Sequence, residues 1–300
     1  MIREFLKEYG YNQEQTEKIV NSYSLRRLKK ETLLKNVKSA IGFLEERKYN
    51  RQEIIKMTSV LPSILSLNPE TMAAKVDHLH TYNLDDRDIM RMIIYHPSII
   101  SYGVDNIDKT INYLIKKGIT DKGIYKILKY SPSIIGQKVE TLEKKIDNLV
   151  DLGYSGKTIM KMISNHPPLL QKNVETIKAR IDKFVDMGFS KEEVLKMSVL
   201  LPQIYDYDLN RIEEKMDFLE NYGFTRGSII KICKIYPEVL GLKSETVTSR
   251  IEEMMKLGYS REDVIIMLSS SPKLFTTSLA KMSNTIGILC ESYSKKMSMI

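Results

Sequence analysis

A proline recurs every 35 residues through most of this 300-residue chain. Two and three residues after each proline comes a pair of large, mostly aliphatic side chains, such as Ile99 and Ile100 or Leu169 and Leu170. The prolines of this series are Pro62, Pro97, Pro132, Pro167, Pro202, Pro237 and Pro272. A fixed period of this length indicates an array of repeated units, each of which packs on its neighbours.

Each interval between prolines reads as two helices joined by a turn. A glycine such as Gly118 or Gly188 lies fourteen residues before most of the prolines, where it can end the first helix in the left-handed conformation. Asn83 takes this place in one repeat, and Lys48 breaks the pattern in another. A short polar residue that can cap the second helix follows two residues later: Asn50, Asp85, Thr120, Ser155, Ser190, Thr225 and Ser260. The proline ends the second helix, and the apolar pair after it predicts a short 3₁₀ helix.

Both helices of a repeat carry apolar side chains at helical spacing, so a single repeat cannot bury its own apolar stripes. The repeats must therefore stack, and we predict an all-α solenoid that forms a single domain over residues 1–300. Each repeat has two α-helices plus a short 3₁₀ turn after the proline. We expect an N-terminal half-repeat cap at residues 1–27, seven repeats at 28–272 and a C-terminal cap helix at 273–300.

Composition favours an acidic partner, because the net charge is +8 and the isoelectric point is about 9.1. Basic residues are in excess near both ends, whereas residues 203–272 are slightly acidic. If the body binds a polyanion, its cations must therefore be gathered on one face.

The low number of cysteines and the lack of a recognisable targeting signal favour a reducing compartment. Cys233 and Cys290 are too few for a disulfide framework. The opening residues MIREFLKEYG have neither signal-peptide nor transit-peptide character, and no apolar run approaches the roughly 20 residues that span a bilayer. We expect a cytoplasmic protein without membrane association; a mature mitochondrial or plastid protein that has lost its leader has the same features.

A column of cations lies six residues before the prolines: Lys56, Arg91, Lys126, Lys161, Lys196 and Lys231, with Ile266 as the exception and Lys18 in the N-terminal half-repeat. On a helix this column lies about 200° from the buried isoleucine column, so it points away from the core. Nearby exposed positions add further cations: Arg87, Lys122, Lys129, Lys157 and Lys234. Stacking places one cation of the column per repeat in a line that suits a phosphate backbone. A solvated helix face is the alternative interpretation.

A second column lies thirteen residues after the prolines: Lys75, Lys145, Arg180, Lys215 and Arg250. Two residues further on come acidic side chains: Asp77, Asp147, Asp182, Asp217 and Glu252. Because residues two apart do not face each other on a helix, we expect an ion-pair ladder between adjacent repeats. Contact of this second column with nucleic acid is the alternative.

Tyrosines lie close to the proline turns. Tyr95, Tyr130, Tyr205 and Tyr207 can stack on bases, but aromatic side chains beside apolar turns usually pack there. Packing is the role that we expect for them.

Motifs for catalysis or metal binding are missing from the sequence. It contains no glycine-rich phosphate loop and no nucleophile elbow. His78 and His80 lie two apart on a helix and so point to different faces, and the other histidines are His96 and His166. We expect no metal, no cofactor and no enzymatic activity.

The glycine turn, the capped second helix and the terminal proline motif together resemble the mitochondrial transcription termination factor (mTERF) family. The segments KFVDMGFSKEEVLKMSVLLPQIY and EMMKLGYSREDVIIMLSSSPKLF carry the resemblance, which covers roughly residues 5–290. It implies a curved left-handed superhelix. It also implies binding of double-stranded DNA or structured RNA along a basic path, with effects on transcription or ribosome assembly, most often in mitochondria or plastids.

The sequence thus predicts a monomeric nucleic-acid-binding solenoid that grips duplex DNA through its phosphates and acts in transcription regulation or termination. Structured RNA depends on the same cations and remains an alternative. The other alternative is a protein–protein interaction scaffold that holds a helix or peptide on its concave face.

Overall fold

The computed structural model describes residues 1–278, and in this range it contains seventeen α-helices, seven 3₁₀ helices and no strand. The first helices of the repeats are α4 (Lys30–Glu46), α6 (Pro69–His80), α8 (Val104–Lys116), α10 (Val139–Leu152), α12 (Val174–Asp186), α14 (Leu209–Tyr222) and α16 (Ser244–Lys256). The second helices are α5 (Arg51–Val60), α7 (Asp86–Tyr95), α9 (Asp121–Tyr130), α11 (Gly156–Asn165), α13 (Lys191–Leu200), α15 (Arg226–Ile235) and α17 (Arg261–Ser270). The predicted all-α repeat of two helices is confirmed.

Each proline of the 35-residue series begins a 3₁₀ helix, as the sequence predicts. These helices span Pro62–Ser66, Pro97–Ser101, Pro132–Gly136, Pro167–Gln171, Pro202–Asp206, Pro237–Gly241 and Pro272–Phe275. The apolar pair after the proline points inward; Ile64 and Leu65, for example, are fully buried. Because proline has a fixed φ and no N–H group, it stops the preceding helix and starts this tighter one.

The turn between the two helices of a repeat keeps one backbone conformation even where its residue type changes. The five glycines of the column have φ between +97° and +114°. Asn83 and Lys48 take the left-handed conformation too, at +61° and +66°. Lys48 therefore breaks the pattern of residue types without altering the turn.

The polar caps begin the second helices as predicted. In all seven repeats the cap side chain accepts a hydrogen bond from the backbone N–H three residues later. Asn50 accepts from the Glu53 N–H at 3.0 Å, and the Glu53 carboxylate accepts from the Asn50 N–H at 2.9 Å. This reciprocal pair is a capping box, and it satisfies N–H groups that the helix leaves free.

The N-terminal half-repeat uses the same devices. Helix α1 (Ile2–Tyr9) ends at Gly10, whose φ is +110°, and Asn12 caps α2 (Gln13–Val20). A short helix, α3 (Tyr23–Arg26), follows where the other repeats have their 3₁₀ helix, since Ser24 stands in place of the proline.

The chain divides into two compact units. The first comprises residues 1–151 and 155–171, and the second comprises residues 152–154 and those from 172 onward. In the first unit, helices α2, α5, α7, α9 and α11 contact one another in succession, and in the second α13, α15 and α17 do so. The first helices pack against the 3₁₀ helices, for instance α8 on Pro132–Gly136.

Neighbouring repeats therefore stack within each unit, as the unsatisfied apolar stripes require. The organisation as one domain with terminal caps stays a prediction. The expected C-terminal cap helix falls largely on residues 279–300, outside those that the structure describes.

Candidate nucleic-acid interface

The second helices share an exposed face made of three positions, which lie two, six and ten residues after the helix cap. Because these positions are four residues apart, they follow one another along one side of the helix. We call them the second-helix face. In the first unit it comprises Gln52, Lys56 and Val60 on α5, Arg87, Arg91 and Tyr95 on α7, Lys122, Lys126 and Tyr130 on α9, and Lys157, Lys161 and Asn165 on α11. All are exposed to solvent except Lys126, which is half-buried.

In the first unit the second-helix face is cationic and carries no acidic side chain. The Nζ of Lys56 lies 4.4 Å from the centre of the Tyr95 ring, one helix further along. Within residues 1–278 the face's other cations form no ion pair: Arg87, Arg91, Lys122, Lys126, Lys157 and Lys161. This part of the predicted cation column is therefore assembled on one surface with its charges free.

The same face has a different chemistry in the second unit. It comprises Glu192, Lys196 and Leu200 on α13, Gly227, Lys231 and Ile235 on α15, and Glu262, Ile266 and Ser270 on α17. Lys196 is engaged with Glu192 at 2.7 Å, and this ion pair raises the pKa of the lysine. Leu200, Ile235 and Ile266 are each more than half exposed. The predicted residues Lys196 and Lys231 thus lie on a surface of balanced charge.

Lys129 does not belong to the second-helix face. Its Nζ is 2.8 Å from the carboxylate of Asp88 on α7 and 2.9 Å from the hydroxyl of Tyr125. Burial alone would raise the pKa of Asp88, but hydrogen bonds from Lys129 and Tyr125 outweigh it and hold that pKa below its usual value. Lys129 joins two neighbouring repeats.

Lys234 has the same role in the second unit, where its Nζ is 3.1 Å from the carboxylate of Glu193 on α13. The structure places both lysines in ion pairs that join neighbouring second helices.

The second predicted column is partly buried, and its contacts differ from those expected. The Nζ of Lys75 donates to the carbonyl of Ile100 at 2.6 Å, and that of Lys145 donates to the carbonyl of Leu170 at 2.7 Å. Both acceptors lie in the 3₁₀ helix that comes next along the chain. Burial lowers the pKa of both lysines.

The remaining members of this column also turn inward. An Nη of Arg180 donates to the carbonyl of Tyr207 at 2.6 Å, and the Nζ of Lys215 donates to the Ser244 hydroxyl at 2.8 Å. Arg250 is paired with Glu253 at 3.0 Å, one helical turn away.

The expected ion-pair ladder is therefore wrong. Across residues 1–278 no member of the second column forms an ion pair with the acidic column of an adjacent repeat, and Arg250 pairs within its own helix. Lys75, Lys145 and Arg180 instead donate to backbone carbonyls in or just after a 3₁₀ helix, where a carbonyl needs a donor. These three cations fasten the turns of the repeat.

Acidic side chains occupy the exposed side of the first helices, in two columns seven residues apart. In the first unit these exposed residues are Glu70, Asp77, Asp105, Glu140 and Asp147, and in the second they are Glu175, Asp182, Asp217, Glu245 and Glu252. In the first unit the first helices therefore carry exposed acids together with lysines such as Lys109, Lys116 and Lys144, whereas the second-helix face carries cations and no acid. Nearly neutral repeats can thus present a cationic surface on their second helices.

The four tyrosines near the prolines differ in how far they are buried. Tyr205 is fully buried and its hydroxyl lies 2.5 Å from that of Tyr154, so the expectation of packing is confirmed for it. Tyr207 is half-buried. For Tyr95 and Tyr130 the expectation is wrong, because they are 68% and 62% exposed on the second-helix face. The signal for this was present in the sequence, since each lies four residues after a cation of the column.

The described part of the chain holds no group of three or more His, Cys, Asp or Glu side chains placed to bind a metal. None of its helices is long and apolar enough to cross a membrane.

Comparison with known proteins returns one family. The mTERF family model matches residues 2–187 and, in a second match, residues 172–300, so that nearly all of the sequence is covered. No curated protein matches the sequence.

Proposed function

The chain belongs to the mTERF family of helical-repeat proteins, and we propose that it binds duplex DNA through the phosphate backbone and acts in transcription. The family is associated with nucleic-acid binding and transcription-related roles and is not known for enzymatic activity. Duplex DNA as the ligand and phosphate contact as the mode are our proposal.

The observation that carries the proposal is the second-helix face of the first unit. Four adjacent helices, α5, α7, α9 and α11, each present at least one cation there, and no acidic side chain intervenes. Neighbouring packed helices are about 8–10 Å apart, so the four helices span roughly 30 Å, close to one turn of duplex DNA. A duplex carries a phosphate charge about every 1.7 Å of its axis, so several phosphates meet the face.

The test is the salt dependence of duplex binding. Each phosphate contact contributes about −0.9 to the slope of log affinity against log salt concentration. The triple variant Arg91→Gln, Lys126→Gln, Lys161→Gln should flatten that slope by about 2.7, measured by fluorescence anisotropy on a 20-base-pair duplex. The loss should be similar for duplexes of different sequence, because phosphate contacts do not read bases.

A matched control removes three cations from the first helices of the same unit: Lys109→Gln, Lys116→Gln and Lys144→Gln. All three side chains are exposed, so the net charge changes equally without touching the second-helix face. This control should leave the slope nearly unchanged. The proposal is wrong if the two triple variants behave alike, or if the unmodified protein does not bind duplex at low salt. Structured RNA of equal length, titrated in parallel, decides between the two nucleic acids.

A protein–protein scaffold is the second candidate, and the exposed aliphatic side chains Leu200, Ile235 and Ile266 favour it. Exposed apolar patches rimmed by charge are typical of protein-binding surfaces. If this candidate is right, a stoichiometric protein partner should be lost from the Ile235→Glu, Ile266→Glu variant while duplex affinity is retained.

A further inference from the structure

The seam between the first and second repeats is built around a lysine instead of a glycine. In four of the glycine turns an aliphatic side chain of the next second helix packs closely. It would lie 3.0–3.7 Å from a Cβ at those glycines, which are Gly10, Gly153, Gly188 and Gly223. The corresponding pair at this seam is Lys48 and Met90, and both line a cavity of about 560 Å³. The seam therefore stays open where the others close.

A second contact that closes other seams is also replaced here. Arg261, the first residue of α17, donates at 2.6 Å to the carbonyl of Tyr222, which ends the first helix of the preceding repeat. Arg226 makes the same contact with the end of α12. The equivalent residue of α7 is Asp86, whose carboxylate lies 3.2 Å from the Nε2 of His80. A carboxylate has no donor for a carbonyl, so this closure is missing from the seam as well.

The cavity has an apolar floor and cations at its rim. Leu44, Ile89 and Ile93 line the floor and are buried. Lys48 and Arg87 line the rim and are exposed, and neither takes part in an ion pair with another residue of the described range. A ligand that enters the seam thus meets an apolar surface below and two free positive charges above.

The acidic side chains in the wall leave this rim positive. Asp86 lies beside His80, and Glu46 is exposed to solvent. Arg47 adds a third cation to the wall, although its guanidinium lies 3.7 Å from the carboxylate of Asp77. Three cations therefore stand against two acids, which favours a singly charged anion over a cation or a doubly charged phosphate ester.

Size and lining together define the class of ligand. Small-molecule sites are clefts of roughly 300–1,000 Å³ with apolar walls and a few polar groups that fix orientation. An aliphatic chain gains about fourfold in affinity for each methylene that it buries. A carboxylate is the singly charged group that accepts charge-assisted hydrogen bonds from lysine and arginine.

We propose that the seam between the first and second repeats binds an aliphatic carboxylate, with its chain on the apolar floor and its head held by Lys48 and Arg87. Arg87 is also a cation of the second-helix face, so a carboxylate held there withdraws it from phosphate. Ligand and nucleic acid then weaken each other's binding to the same extent. This competition rests on the proposed function, whereas the site itself does not.

The experiment titrates the full chain with short fatty acids below their micelle concentrations, by isothermal titration calorimetry. Decanoate should bind with one molecule per chain, and octanoate should bind roughly tenfold more weakly, because it buries two fewer methylenes. The neutral analogue 1-octanol should bind about tenfold more weakly than octanoate, because it cannot form the charge-assisted hydrogen bonds.

Two substitutions of Lys48 separate the open seam from the charge. Lys48→Gly restores the glycine of the other turns, so the variant should fold, and it should bind decanoate at least about tenfold more weakly. Lys48→Met keeps a long side chain without its charge, so it should weaken octanoate by about tenfold and leave 1-octanol unchanged. The matched control Lys117→Met removes an exposed lysine beside the turn after α8, and it should bind as the original protein does.

Methyl-labelled methionine locates the ligand directly. The chain has 16 methionines, and the signal of Met90 is identified by its loss in Met90→Leu. Decanoate should shift the Met90 signal and leave those of Met216 and Met254, in the second unit, in place. Saturating decanoate should also flatten the salt slope of duplex binding by about 0.9, the share of one phosphate contact, in the original protein but not in Lys48→Gly.

The possible failures are distinct. An unmoved Met90 signal, or equal decanoate affinity of Lys48→Gly and the original protein, overturns the site. An unchanged salt slope under saturating decanoate overturns the role of Arg87 as a partner of the head. If decanoate shifts Met90 but no duplex binds at low salt, the proposed function is wrong and the site stands.

Discussion

A methyl group added at the turn of a repeat has a different cost at Gly118 and at Gly223. Both glycines have positive φ, +102° and +111°, where a side chain meets its own backbone. A Cβ at Gly118 has no other atom within 4 Å, whereas a Cβ at Gly223 lies 3.0 Å from the Cδ1 of Ile265. The two positions therefore separate backbone strain from crowding.

The magnitudes follow from these surroundings. The left-handed conformation costs an L-residue about 1–2 kcal/mol, and the stiffer unfolded chain returns about 0.4–1 kcal/mol, so Gly118→Ala should lose about 1 kcal/mol. Gly223→Ala must also displace the end of the Ile265 side chain, which costs about 1 kcal/mol, the low end of the 1–3 kcal/mol typical of overpacking. The free energy of unfolding of Gly223→Ala should therefore fall by about 2 kcal/mol in total.

Lys48 supplies the reverse substitution. It already has a φ of +66°, so Lys48→Gly removes about 1 kcal/mol of strain. The glycine makes the unfolded chain freer by a similar amount, and the two effects offset each other. The net change in the free energy of unfolding should stay within about 0.5 kcal/mol of zero.

Urea unfolding followed by circular dichroism at 222 nm measures all three variants against the original protein. With an m-value near 3 kcal/mol per molar urea, Gly118→Ala should shift its transition by roughly 0.3 M and Gly223→Ala by roughly 0.7 M. Equal shifts at the two glycines would refute the crowding argument. No shift at Gly118, or a gain above about 1 kcal/mol for Lys48→Gly, would refute the account of the turn.

Three further predictions follow from contacts between repeats. Asp88→Asn should lower the melting temperature at pH 7 and make little difference in acid, as melting curves at pH 7 and below pH 3 will show. The native carboxyl has a lowered pKa, so its stabilisation is present above the pKa of the unfolded state and is lost as pH falls through the native pKa. Tyr154→Phe removes a hydroxyl that lies 2.5 Å from that of Ser198, so the free energy of unfolding in urea should fall by about 1–2 kcal/mol. Deletion of residues 98–132, one whole period, should leave a shorter cooperative helical protein by circular dichroism, and loss of all helical signal would contradict the nearest-neighbour picture.

The local architecture is determined by the sequence alone. Local features depend on residues only a few positions apart, so the sequence predicts them without knowledge of the fold. Examples are the helix cap at Ser190, the positive φ at Gly188 and the end of a helix before Pro202. The 35-residue period adds the requirement to stack, because the apolar stripe of each helix has no other place to be buried. Even Lys48 adopts the left-handed conformation of this turn, since the helices on both sides of it impose that geometry.

Only the tertiary structure decides which of several similar side chains are free to act. Lys126 and Lys129 are one helical turn apart, yet the first lies on the second-helix face and the second is held by Asp88, a residue of the preceding repeat. Tyr205 belongs to the apolar pair after its proline, but only the fold brings the hydroxyl of Tyr154 to 2.5 Å from its own. Sequence spacing gives the direction of a side chain on its own helix, but the partners of Lys129 and Tyr205 come from segments more than 40 residues away, and stacking alone brings those within hydrogen-bonding distance.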